Sequence, residues 1–153
     1  MRRIIFILSS IALLTACSGN NKQQQEAENL LEQASSLYEE GRFPEAKASI
    51  DSIRKRYPHA IDVRKKALKL GWEIELKEAQ GELAKTDSLL QQVQHDYDDL
   101  QAKVEKDKAN LKATPEELTM LTRTRIQRDS LRTQCETLGV KIRYIHKKQK
   151  EGK

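Results

Sequence analysis

The chain has 153 residues, a formal charge of +5, one charged residue in three and only 5% aromatics. So much charge and so few rings leave too little apolar bulk for a thick globular core. Abundant Glu, Gln, Lys, Leu and Ala are instead the composition of long helices packed through narrow stripes. A small cationic excess is not the footprint of a nucleic-acid-binding protein, so no nucleic-acid partner is expected.

Arg2 and Arg3 precede an apolar run from Ile4 to Leu14 that is broken only by Ser9 and Ser10. At about 1.5 Å per residue this run is far shorter than a bilayer core of about 30 Å. A charged start followed by a short apolar stretch is the pattern of an export signal. It ends in Leu14, Thr15, Ala16 and Cys17, which resembles the lipobox of bacterial lipoproteins at all four places. The resemblance implies cleavage after residue 16 and a diacylglycerol on the Cys17 sulfur: a covalent lipid, with no dissociable cofactor expected. It also implies a bilayer held through that anchor, in an oxidising compartment outside the cytoplasm. Ser18 is not the aspartate linked in that family to inner-membrane retention, and no acidic run follows the cysteine. The resemblance therefore implies the outer membrane, facing the periplasm. Without residues 1–16 the basic count falls from 28 to 26 against 23 acidic groups, a net charge of +3. Only Cys135 remains beside the lipidated cysteine, so an intrachain disulfide is not expected.

Residues 17–25 are the anchor Cys17 followed by SGNNKQQQ, which is polar and aperiodic and predicts a flexible tether. Residues 26–59 predict a helix-turn-helix. Ala27, Leu30, Leu31, Ala34, Leu37 and Tyr38 recur at intervals of three and four. Gly41 is placed to end that helix, Pro44 to sit in the first turn of the next, and Pro58 to close it. Leu30, Ala34, Leu37, Gly41, Phe43, Ala46, Ile50, Ile53 and Pro58 resemble one tetratricopeptide repeat. The junction at Tyr57, Pro58, His59 and Ala60 is similar to those of outer-membrane-assembly lipoproteins. No second repeat follows, so the next helix, with Val63, Ala67, Leu70 and Ile74 on one face, is expected to act as its cap.

Residues 60–112 predict one long helix whose period tightens to seven after Trp72. Leu76, Leu83, Leu90, Tyr97, Val104 and Leu111 hold one heptad position, and Ala79, Thr86, Val93, Leu100 and Asp107 the other. Thr114, Pro115, Glu116 and Glu117 form a helix-start signal. The second arm, 113–150, carries Leu121, Arg128, Cys135 and Ile142 beside Thr124, Leu131, Leu138 and Ile145, and 151–153 is a tail. Folding the arms back on a centre at residue 114 pairs Leu83 with Ile145, Leu90 with Leu138 and Tyr97 with Leu131. The expected fold is therefore all-α: a tetratricopeptide-like hairpin and a capping helix that continues into an antiparallel coiled-coil hairpin. The same seam would also serve a homo-oligomer.

No phosphate-binding loop, nucleophile motif or zinc spacing is present, so neither an enzyme nor a metal site is expected. His95 and Asp99 share one exposed helical face, but two ligands make an incomplete metal site. Cys135 reads as a small buried hydrophobe opposite Val93. Arg128 reads as a register-setting seam residue within reach of Asp98 and Asp99. The expected role is a membrane-anchored scaffold that docks a protein of the envelope, with Tyr38, Arg42 and Tyr57 as exposed contact residues. Two alternatives are a self-associating spacer and a membrane or cell-wall contact through the basic Lys147, Lys148 and Lys150.

Overall fold

The computed structural model describes residues 15–152. Among them are four helices and no strand: α1 (Thr15–Glu39), α2 (Phe43–Arg56), α3 (Ile61–Ala109) and α4 (Pro115–Glu151). The chain divides into two compact units, one ending at Ile74 and the other beginning at Glu75, with the boundary inside α3.

In the first unit, three apolar stripes converge. Ala27, Ala34 and Leu37 of α1 meet Ala46, Ile50 and Ile53 of α2 and Val63, Ala67, Leu70 and Ile74 of α3. Four of these are fully buried alanines, which let helices approach closely. The α1–α2 turn is built by Gly41. Its φ of 75° is in the left-handed region, its N–H donates to the Tyr38 carbonyl, and the Arg42 N–H donates to Leu37. These two bonds satisfy the last carbonyls of α1 in a Schellman arrangement. Pro44 then occupies the first turn of α2, where a missing N–H costs nothing.

Helix α1 starts before the point expected of it, and the tether predicted over residues 17–25 is helical. Once the segment from Ala27 onward is packed, further turns need only helix propagation, the nucleus being already formed. Lys22 and Gln23 to Gln25 are good helix formers. Gln24 also donates to the Glu28 carboxylate one turn on, at 2.9 Å.

In the second unit, the rest of α3 runs beside α4. Lys103 Nζ lies 2.6 Å from Glu117, and the Arg128 guanidinium sits 4.2 Å from the Tyr97 ring centre. Residue numbers fall along one helix as they rise along the other, so the pair is antiparallel. Its contact faces are the two heptad series. Ala79, Val93, Val104, Leu131, Leu138 and Ile145 are buried. Leu76, Leu83, Leu90, Tyr97, Leu100, Leu121, Thr124, Arg128, Cys135 and Ile142 are half-buried.

Leu111 departs from the heptad expectation: α3 ends at Ala109, and Leu111 lies in the loop, 95% exposed, with a φ of 58°. Its N–H donates to Lys108 and the Lys112 N–H to Asp107, the same Schellman pattern as at Gly41. Helix α4 then opens with a capping box. Thr114 Oγ1 accepts from the Glu117 N–H at 3.2 Å, and the Glu117 carboxylate accepts from the Thr114 N–H at 3.0 Å.

Candidate functional site

The residues expected to dock a partner lie in different environments. Arg42 is exposed, and its guanidinium is occupied by Glu45 at 3.1 Å and Glu40 at 3.3 Å. Those bonds raise its pKa further above an already high value. Tyr38 is half-buried and its ring centre lies 6.0 Å from that of Phe43, so it belongs to the rim of the core. Tyr57 corrects the expectation: it is 5% exposed and part of the core. The backbone leaves α2 at this residue and turns its ring between the helices. There its hydroxyl donates to the Glu26 carboxylate at 3.1 Å. Desolvation, followed by that bond, raises the Tyr57 pKa, so the phenol stays neutral and the partner stays satisfied.

Arg128 also differs from its expected partners. Only 15% of its side chain is exposed. It is held by Asp129, through Nε at 2.9 Å and Nη2 at 2.7 Å, and stacks on Tyr97 instead of reaching Asp98 or Asp99. A guanidinium in an apolar seam thus keeps a carboxylate and an aromatic face together, which offsets its desolvation. Cys135 is a half-buried free thiol.

Beside the seam of the second unit lies an open cleft of about 440 Å³, lined by Leu89, Val93, Leu100 and Met120 together with Gln92, Asp96, Thr124 and Gln127. Leu89 is 43% and Met120 58% exposed. Both flank the seam at the same heptad place on their two helices, one residue before a seam position. That pairing was available in the sequence, where attention to the seam itself passes over it. An open cleft between two helices, lined by apolar and polar side chains alike, can accept an amphipathic segment of another chain.

The anchor segment sits at the start of α1. Thr15, Ala16 and Cys17 form its first residues. The cationic start, the apolar run and Leu14, all parts of the expected export signal, lie outside the described residues. No helix among the described residues is long and apolar enough to cross a membrane. Residues 1–18 match the family described as the prokaryotic membrane lipoprotein lipid attachment site. The chain carries the membrane anchor of a bacterial lipoprotein. No curated protein and no solved structure matches it.

Near the C-terminus of the lipoprotein, the three lysines of the basic run are unequal. Lys147 and Lys148 share one carboxylate, Glu151, at 3.8 and 2.8 Å. The Glu151 bond is the main cause of a raised Lys148 pKa, and Lys148 also lies 5.7 Å from the Tyr144 ring centre. Lys150 lines a shallow depression with Arg143, His146, Lys147 and Glu151. Part of this patch is therefore neutralised within its own helix. His95 Nδ1 lies 3.2 Å from Asp99 with both side chains about three-quarters exposed. Among the described residues no group of three or more potential metal ligands is assembled.

Proposed function

We propose that this lipoprotein is a non-catalytic scaffold of the bacterial envelope, tethered by lipid on Cys17 and docking a helical segment of another envelope protein. In this reading the first unit is a tetratricopeptide-like hairpin with its capping helix, and the second is an antiparallel coiled-coil hairpin. The anchor faces the periplasm from the outer membrane. The observation that carries the docking role is the cleft bounded by Leu89 and Met120, where exposed apolar side chains flank an already buried seam. Apolar groups left exposed along one cleft in a chain this highly charged are best explained by a partner that covers them.

Photo-reactive side chains at positions 89 and 120 of the full-length lipoprotein in living cells test this. A single cross-linked envelope protein, lost when Met120→Lys is introduced, is the expected result. No adduct at either position would remove the docking role. A second reading, the self-associating spacer, is favoured by Ile126 and Val140, exposed by 61% and 56% on a face of α4 away from the seam. Cross-links only between copies, with a stable dimer in sedimentation, would establish it instead.

A further inference from the structure

The corner between α2 and α3 concentrates positive charge. Residues 54–69 hold Arg54, Lys55, Arg56, Arg64, Lys65, Lys66 and Lys69 against Asp62 alone, and all seven cations are exposed. At the end of α2, three of these are accounted for by the helix dipole, which favours cations at a C-terminus. The same dipole disfavours cations at the start of a helix, yet Arg64, Lys65 and Lys66 crowd the first turns of α3. Arg64 Nη1 donates to the Pro58 carbonyl at 2.9 Å, but helix stability does not explain Lys65 and Lys66. Ile61, the first residue of α3, is 60% exposed in its midst.

The corner also has a fixed place relative to the lipid. Because the Tyr57 hydroxyl bonds Glu26, the corner lies level with Glu26 on α1. Glu26 is nine residues beyond Cys17 in the same helix, which is about 14 Å along the axis. Residues 18–28 of α1 add Lys22, Glu26 and Glu28, so the anchor-proximal end holds eight cations and three anions. Glu26 is engaged by Tyr57 and Glu28 by Gln24.

We propose that the α2–α3 corner is a second membrane contact. Its cations seat on the anionic phospholipid headgroups of the bilayer that holds Cys17, and Ile61 enters the interface. The proposal rests on the lipid anchor and is independent of the docking role. Two such signals suit one another, since a cationic patch and an acyl chain together hold a protein to a surface more firmly than either alone. Seating the corner would also fix the first unit against the membrane instead of leaving it to pivot on a single lipidated residue.

The test uses the mature lipidated protein carrying Ile61→Trp and Trp72→Phe, which leaves one tryptophan, at the corner. It is reconstituted into vesicles containing bromine-labelled phosphatidylcholine, alone or with about a third phosphatidylglycerol. Flotation with the vesicles reports the anchor, and quenching of the tryptophan reports the corner. Expected is flotation in both mixtures, with emission about twofold lower in the anionic vesicles only. That difference should vanish at about 0.5 M salt, where charges are screened within a few ångströms. It should also vanish in Lys55→Glu/Lys65→Glu, both exposed positions, while flotation persists. Flotation without quenching in anionic vesicles would overturn the proposal and leave an acidic protein as the corner's partner. Equal quenching in neutral vesicles, or quenching unchanged by the charge reversals, would overturn it as well. Failure to float in either mixture would refute the anchor, and the second contact with it.

Discussion

Replacing Leu111 by glycine should stabilise the protein, although it deletes a large apolar side chain. The side chain is 95% exposed, so truncation forfeits almost no burial. The backbone, at a φ of 58°, is in the region where an L-residue's Cβ crowds the following carbonyl. That conformation costs roughly 1–2 kcal/mol, and glycine escapes it. Against this, glycine loses more freedom on folding, roughly 0.5–1 kcal/mol. The net expectation is a gain of about 0.5–1 kcal/mol, or a rise of about 2 to 8 °C in Tm for a unit of this size. Urea unfolding of the full mature protein, followed by circular dichroism, measures it. Leu111→Ala is the control: alanine keeps the crowded Cβ, so it should fall within about 0.5 kcal/mol of the parent. Gly41→Ala, in the same turn geometry with nothing within 4 Å of the new Cβ, should lose about 1 kcal/mol from backbone strain alone. A loss of stability in Leu111→Gly, or a gain in Leu111→Ala equal to that of glycine, would refute the reasoning.

Thr114→Ala should cost about 1 kcal/mol, because it leaves the Glu117 N–H without its capping acceptor; the same urea titration reads the loss. Glu117 has its pKa lowered by its bond to Lys103 and then by the Thr114 N–H. A folded pKa below the unfolded one gives stability that is present above the ordinary value of 4.5 and lost as pH falls through the depressed value. Comparing the parent with Glu117→Gln across acid pH should therefore show a difference that shrinks below that value, and a constant difference would exclude the linkage. Arg128→Leu should leave stability unchanged or raised, since the seam gains an apolar side chain while Asp129, half exposed, is hydrated by water instead of being left as a buried lone charge. It should also broaden the sedimentation profile, by removing a charged residue that selects a seam register. A sharp, parent-like profile would assign Arg128 no such part.

What the sequence reveals here follows from the range of the forces involved. The seam residues are legible because a period of seven is a local pattern, and every heptad position from Leu76 to Asp107 and from Leu121 to Ile145 is buried or half-buried. Gly41 and the Thr114–Glu117 box are legible because each acts within one turn. Tyr57 is not, since its burial depends on Glu26, 31 residues away. Arg128 announces a seam position, but whether a carboxylate or a ring satisfies it is decided by the facing helix. Leu111 misleads because leucine at a heptad spacing gives no sign of a left-handed turn. The helix through residues 18–25 is missed because polar residues without periodicity can still extend a helix that packing has already nucleated. At the anchor the position is reversed: four residues ending in Cys17 carry the assignment, and packing adds nothing to it.

Helix α4 is rich in threonine, and its hydroxyls are turned inward upon the helix itself. Thr119, Thr122, Thr124, Thr133 and Thr137 each donate to the carbonyl four residues earlier, at 2.8 to 3.0 Å. A hydroxyl committed in this way offers little to water, and the branch left pointing outward is a methyl. The outer side of α4, where Thr133 and Thr137 lie between Ile126 and Val140, is thus greasier than its residue names suggest. A surface tiled with methyls attracts any apolar neighbour without selecting its hydrogen-bonding pattern, so partner choice there would depend on shape and on the charges at the margins.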